Sequence, residues 1–360
     1  MTQLLPMLTA LAAAALFGIS APLSKILLSP SALGEVAPVP MASLLYLGSG
    51  LTALVLLSLQ RRDATASEAR LQRGDVPWLV GALLAGGVAA PIVLMFSLRV
   101  TPGATASLLL NFEGVATTVI AALAFREAVG RRVWGAMGLV TIAGIVLSWE
   151  TGGGLGVSLG ALGILGACVL WGVDNNLTRN ISAKNPLTIV AGKGLGAGAF
   201  SLLLALLVGQ PLPGLGAALG ALLLGGVSYG VGITLYILAL RDLGAARTSA
   251  IYSSAPFIGA LVAFPLLGEA VEARFVVALV LMLAGTALLV TERHSHDHHH
   301  GFLTHEHRHR HDDAHHDHDH GDDGIPPSGR HAHPHDHLPQ RHEHPHTPDL
   351  HHRHAHADEG

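Results

Sequence analysis

A chain of 360 residues that is half apolar and only 13% charged excludes an ordinary soluble protein, which carries about twice that share of charge. The net charge of −4 averages two unlike regions. Up to Arg293, 16 Lys and Arg stand against 12 Asp and Glu; from His294 on, 5 stand against 13, and all 24 histidines lie there. The single cysteine, Cys168, sits in an apolar stretch and excludes both a disulfide framework and a thiolate metal site.

The N-terminus lacks the basic start of a secretory signal, and its apolar run continues to Leu28. It reads as a retained first span. A helix of roughly 20 apolar residues crosses a bilayer core, and ten stretches qualify: 4–28, 38–59, 77–98, 103–125, 133–149, 159–180, 187–208, 217–240, 247–267 and 273–291. Their frequent Gly and Ala suit close helix packing in lipid. The fold class expected is an all-α integral membrane protein followed by a disordered His-rich tail.

The ten stretches repeat. GALLAGGV at 81–88 recurs as GALLLGGV at 220–227. Ser107 falls on Ser249 and Glu127 on Glu269, each pair 142 positions apart, and Phe17-Gly18-Ile19 matches Trp171-Gly172-Val173. Residues 1–150 and 151–293 thus form two five-helix units, with 294–360 as the tail. An odd number of spans per unit inverts the second copy. Lys and Arg favour cytoplasmic loops. Arg61, Arg62, Arg70 and Arg73 follow the second span and Arg126, Arg131 and Arg132 the fourth, whereas the matching loops of the second unit hold none and Arg274 alone. Both termini are then cytoplasmic. Inverted repeats recur in secondary transporters, with the substrate near midplane between the halves.

Over residues 4–291 the chain resembles EamA-type members of the drug/metabolite transporter superfamily. The resemblance rests on LFGISAPLSK in the first span, on SLLLNFEGVATTVIAALAFREAVG from Ser107, and on WGVDNNLTR and SAIYSSAPFIGALVAFPLLGEAV in the second half. Gly114 stands where the second half has Pro256. The resemblance implies ten helices in two inverted repeats and transport of small molecules across the inner membrane, usually export.

Ionisable side chains within a membrane are costly and mark pathways. Glu113 lies in the fourth span near Asn111; Asp174, followed by Asn175 and Asn176, lies in the sixth; Lys193 lies in the seventh. Asp174 and Lys193 fall at similar distances from the turn joining their spans. They could gate a cavity as a charge pair, or only pin two helices. Glu113 could carry protons or bind a cationic substrate, or be protonated and hydrogen-bonded to Asn111. Tyr229, Tyr236, Ser253 and Ser254 are read first as packing between helices. Glu127 and Glu269, closing the fourth and ninth spans, are read as structural groups shaping helix ends, and Lys25 and Arg179 as snorkelling. No phosphate-binding glycine loop occurs, so a gradient would drive transport without ATP or a cofactor, and neither enzyme activity nor nucleic-acid binding has support.

The tail repeats as well: seven histidines, His294 to His309, match His331 to His346 at a spacing of 37, and four more, His315 to His320, match His351 to His356 at 36. A tail with few apolar residues buries too little to fold. Its His-x-His runs set alternate imidazoles on one side of an extended chain, a donor set suited to Zn, Ni, Co or Cu. The metal-ligating candidates are His294, His296, His298, His305, His307, His309, His315, His316, His331, His333, His335, His342, His344, His346, His351 and His352. The preferred reading is a transporter of small metabolites or drugs, in the inner membrane and compatible with a homodimer, whose tail buffers metal or regulates. A divalent-metal exporter is the alternative, weakened by the absence of His from the first 293 residues. A membrane-anchored metal or pH sensor is the third.

Overall fold

The computed structural model describes residues 4–30, 34–59, 71–125, 129–149, 158–181, 184–243, 248, 251–290, 295–300, 303–309, 331–337 and 340–345. Helices α1 (Leu4–Gly18) and α2 (Ser20–Leu28) meet at Ile19, and α3 spans Pro38–Leu59. A 3-10 turn, Arg73–Asp75, leads into α4 (Val76–Ala82), a π-helical segment (Leu83–Ala89) and α5 (Ala90–Val100). Then come α6 (Gly103–Leu109), α7 (Phe112–Phe125), α8 (Arg131–Ser148), α9 (Leu159–Arg179) and α10 (Pro186–Leu207). Helix α11 (Leu215–Gly225) runs through a second π-helical segment (Gly226–Val231) into α12 (Gly232–Leu243), and α13 (Ala255–Leu267) and α14 (Ala273–Val290) complete the bundle.

Among the described residues, seven helical stretches are long and apolar enough to cross a membrane: Leu4–Leu28, Pro38–Leu59, Arg73–Val100, Gly103–Ala124, Arg131–Ser148, Pro186–Leu207 and Leu215–Ala239. Three of the ten expected spans fall outside that set. Helix α9 forms over nearly the expected residues, but its last turns carry Asp174, Asn175, Asn176 and Arg179, which dilute its apolar character. Helix α13 is shorter than expected because a turn at Ser253-Ser254 precedes it. It ends at Gly268, whose φ of 65° is left-handed, a conformation glycine adopts without a Cβ penalty. Helix α14 provides only a shorter apolar stretch, Ala273–Leu288.

Departures from regular helix recur at matching places. Both π segments include the last glycine of the repeated motif, Gly87 and Gly226. Turns interrupt the helix at Leu110-Asn111 and at Ser253-Ser254, within one residue of the spacing of 142. Helix starts are locally specified: Asn185 accepts from the backbone N–H of Leu187 at 3.0 Å and of Thr188 at 3.2 Å, ahead of Pro186 at the first helical position.

The bundle is apolar outside and small-residue inside. Leu51, Phe96, Leu123, Ile142, Leu203 and Leu223 are exposed, whereas Ala13, Ala106, Ala143, Ala167 and Ala197 are fully buried. That inversion is what lipid solvation requires, since tight packing and not water exclusion holds such helices together. The matched glycines let helices approach closely. A Cβ on Gly18 would lie 2.3 Å from the Ala255 carbonyl oxygen, and one on Gly172 2.9 Å from the Thr117 nitrogen. The first and sixth expected spans thus dock on the ninth and fourth.

Five contacts gather the connections after α2, α5, α8, α10 and α13 at one end of the bundle. Lys25 Nζ donates to the carbonyls of Leu98 and Thr101 at 2.7 and 2.5 Å, and Val39 N donates to Gln210 Oε1 at 3.1 Å. Arg99 pairs with Glu35, Arg274 donates to the Trp149 carbonyl, and Glu269 accepts from the N–H groups of Gly103 and Ala104. The other end holds the 3.7 Å pair Lys184–Asp75.

The described residues of the tail form four strands. Strands β1 (Ser295–His300) and β4 (Gln340–Pro345) pair antiparallel, as do β2 (Leu303–His309) and β3 (His331–His337). Ladder hydrogen bonds need no hydrophobic core, and the His-x-His alternation fits an extended chain. The register sets His296 opposite His344, His298 opposite His342, His305 opposite His335, His307 opposite His333 and His309 opposite His331. His294, His315, His316, His346, His351 and His352 lie outside the described residues.

Glycine contacts give a direct test of the packing. Gly18→Val is expected to abolish the monodisperse peak in size-exclusion chromatography, because its side chain must displace the backbone of α13. Gly138→Ala, where an added Cβ meets nothing within 4 Å, is expected to elute as the parent does.

Candidate functional site

Three polar assemblies interrupt the apolar interior. The first joins α9 to α10. Lys193 Nζ donates to both carboxylate oxygens of Asp174, at 2.5 and 2.6 Å, and the Thr178 hydroxyl, one turn on, donates to Asp174 Oδ1 at 2.8 Å. Both charged side chains are buried, 7% exposed for Asp174 and 16% for Lys193, so each cancels the other in a setting where neither has water. The π segment makes room for this pair. A Cβ on Gly86 would fall 2.0 Å from Asp174 Oδ2, so only glycine lets the carboxylate lie against that turn. The Gly86 carbonyl accepts from Tyr46 Oη at 2.6 Å and from Trp171 Nε1 at 3.0 Å. The π segment is thereby cross-linked to α3 and α9.

The second assembly joins α7 to α9. Asn175 Nδ2 donates to Glu113 Oε1 at 2.9 Å and to Thr117 Oγ1 at 3.1 Å. Asn176 Nδ2 donates to the carbonyls of Thr117 at 3.0 Å and Gly172 at 2.8 Å. Successive residues on a helix point about 100° apart, so Asp174 turns towards α10 while Asn175 turns towards α7. Glu113 is half-buried and Asn175 exposed, and a Cβ on Gly114 would meet nothing within 4 Å. No Lys or Arg among the described residues forms an ion pair with Glu113. Of the charged side chains deep in the apolar helices, Glu113 is the one held by an amide instead of an opposite charge.

Asn111 does not join Glu113, against the expectation. Its amide donates to the Leu108 carbonyl at 3.2 Å and lies 3.6 Å from Met282 Sδ. Residues two apart do not share a helix face, and the turn at 110–111 rotates Asn111 towards α14. The third assembly is the helix-end contact of Glu269 with Gly103 and Ala104, beside Lys25. Glu127, the matching position, lies outside the described residues. Among the described residues, no group of three or more His, Cys, Asp or Glu is arranged to hold a metal.

Tyr46, Gly86, Trp171 and Thr117 were not singled out in the sequence as site residues. Thr117 carried a legible signal, since it follows Glu113 by four residues and shares its face. The role of Gly86 did not, because a π segment leaves no mark in hydropathy.

The EamA-like transporter family model matches residues 158–291. A protein of Pseudomonas aeruginosa is 32% identical over 273 residues, covering 74% of this chain and 90% of its own length. A protein of Methanothermobacter thermautotrophicus, described as an uncharacterized transporter, is 28% identical over 292 residues, covering 76% of this chain and 82% of its own. A solved crystal structure superposes with a TM-score of 0.56 at 20% identity, over 79% of this chain and 94% of that one, a likeness of fold alone.

The buried pair predicts its own double-mutant behaviour. Lys193→Met or Asp174→Asn alone is expected to lower stability by about 3 kcal/mol, because each strands a buried charge. The double variant is expected to recover most of the loss in thermal unfolding monitored in detergent. Additive losses would mean that the two side chains are not coupled.

Proposed function

We propose that this chain, a multi-pass membrane protein whose residues 158–291 match the EamA-like transporter family, is a secondary transporter exporting small metabolites or drugs. In this reading ten spans form two inverted five-helix repeats, residues 1–150 and 151–293, in the inner membrane with both termini cytoplasmic. The recurring π segments, the recurring turns and the single bundle end reached after every second span support that architecture. Arg73, Arg131 and Arg132 lie at the opposite end, the cytoplasmic one by the charge rule.

Glu113 carries the proposal. An uncompensated carboxylate in an apolar bundle is stable as a neutral acid or with a bound cation. It sits one residue beyond the turn in its span, beside an open space at Gly114. Protonation on one side of the membrane and release on the other couples transport to a proton gradient. The titratable and charged groups in range are Asp174, Lys193, Tyr46, Tyr229, Tyr252 and Cys168. Asp174 and Lys193 cancel, and the tyrosines and the thiol are neutral near pH 7, leaving Glu113 to titrate. The Asp174–Lys193 pair sits towards the cytoplasmic half and can part to admit substrate.

The tail, residues 294–360, is read as a cytoplasmic buffer or regulator for Zn, Ni, Co or Cu. The repeated His-x-His runs of the sequence offer several imidazoles to one ion. A divalent-metal exporter remains the competing reading because of this tail. Proteoliposome flux separates the two, using the full chain and a version ending at Arg293. Metabolite flux that survives truncation and falls at least about 100-fold in Glu113→Gln, about the span of one proton-transfer role, is expected. Metal flux through the truncated chain would make metal the cargo and overturn this account.

A further inference from the structure

The two ends of the bundle treat their basic side chains differently. At the end that gathers the connections after α2, α5, α8, α10 and α13, the described ones are matched. Arg99 pairs with Glu35, Arg274 with Glu272 and the Trp149 carbonyl, and Lys25 donates to the carbonyls of Leu98 and Thr101. At the other end Lys184 pairs with Asp75, but Arg73, Arg131 and Arg132 are exposed and form no ion pair among the described residues. Arg131 and Arg132 open α8, whose first turn carries no acid and whose cap, Gly130, makes no side-chain hydrogen bond. A helix N-terminus is the positive end of its dipole, so two cations there are repelled by it and by each other. This end is a basic surface without its counter-charge.

The chain delivers an acidic segment to the same place. Helices α8 and α14 run antiparallel: Arg274, at the start of α14, meets Trp149 at the end of α8, and a Cβ on Gly285 would lie 3.1 Å from the Ala136 carbonyl oxygen. Val290 stands five residues past Gly285 and Arg131 five before Ala136, so α14 ends level with the arginines that open α8. The tail that follows carries 13 acidic and 5 basic residues, a net of −8 with histidine neutral. Its first acid, Asp297, comes seven residues after Val290, within roughly 25 Å of extended chain. Its charge is densest in DDAHHDHDHGDD at 312–323, six aspartates with no Lys or Arg.

We propose, building on the metal-binding tail read above, that the surface bearing Arg73, Arg131 and Arg132 is the docking site of the chain's own acidic tail, residues 294–360. Covalent attachment beside the site holds the tail there at an effective concentration of about millimolar order. Four histidines, His315, His316, His318 and His320, stand among the aspartates of 312–323. Imidazole and carboxylate together take up a divalent ion with its two charges, so about four bound ions offset the tail's net charge of −8. Metal binding then undocks the tail, and the metal load is read as a change in its contact with the transporter body. Attraction between exposed charges is screened by salt, a signature that apolar packing does not share.

The four tryptophans all lie in the body, and Trp134 is exposed one turn from Arg131. A dansyl group on Gly321→Cys, in a full chain carrying Cys168→Ala, therefore reports tail proximity by energy transfer from tryptophan. Transfer is expected in detergent at low salt without metal, and should fall at least about twofold at about 1 M salt, where the screening length is about 3 Å. The double variant Arg131→Gln/Arg132→Gln should show the same fall. So should asparagine at the six aspartates of 312–323, a change outside the helices that leaves their packing intact. Arg99→Gln, at the opposite end, should leave transfer unchanged. Added Zn²⁺ should lower transfer as it binds. Transfer indifferent to salt and to both sets of variants overturns the proposal, as does an equal loss in Arg99→Gln; zinc uptake by the tail stands in either case. Transfer present in phosphatidylcholine vesicles and abolished in phosphatidylglycerol vesicles assigns the arginines to lipid headgroups and also overturns it. Zinc that binds without lowering transfer overturns the release step. Charge-dependent transfer in a chain that takes up no zinc would instead overturn the metal reading of the tail and leave the docking standing.

Discussion

A backbone carbonyl released from its helix inside an apolar bundle must find a donor, and the carbonyl of Gly86 finds two. Hydrocarbon offers no water to an unpaired peptide group, so irregular helix survives there only where protein groups satisfy it. Tyr46 and Trp171 do so from different helices. The widened turn that results brings the π segment against Asp174, which only glycine permits at this distance. The ion pair with Lys193 follows from that one accommodation.

Electrostatics then divides the interior. Asp174 and Lys193 are adjacent, buried and mutually bonded, so their field largely cancels beyond their immediate neighbours. Glu113 is bonded by the amide of Asn175, which stabilises a carboxylate without neutralising it. The two environments arise from consecutive residues of one helix, Asp174 and Asn175, pointing about 100° apart. A motif of three polar residues in an apolar span thus builds an ion pair on one face and an amide-held carboxylate on the next.

Much of the fold was legible in the sequence because hydrocarbon thickness fixes span length, and because the two halves repeat. Apolar runs located the helices of the body, and the matched Phe17-Gly18 and Trp171-Gly172 marked the close crossings. Glu113, Asp174 and Lys193 stood out as charges in apolar surroundings, which is where charge is most costly. What stayed hidden depends on direction, not on composition. Hydropathy could not show that the turn at Leu110-Asn111 swings Asn111 away from Glu113. Nor could it show the π segments, which change the number of residues per turn and so the face that each side chain takes. Tyrosines far apart along the chain gave no sign of converging, since only the fold brings Tyr46 to Tyr229. In the described residues of the tail, strand pairing satisfies backbone groups without the core that so polar a composition cannot build.

The central claim is that Glu113 carries the protons that drive transport. Flux under an imposed pH gradient tests it most directly. Proteoliposomes of the full chain would be loaded with candidate metabolites, and their movement followed with and without the gradient. The account predicts flux that accelerates with the gradient in the parent chain and no such acceleration in Glu113→Gln. Flux indifferent to the gradient in the parent, or the same acceleration in Glu113→Gln, would contradict it.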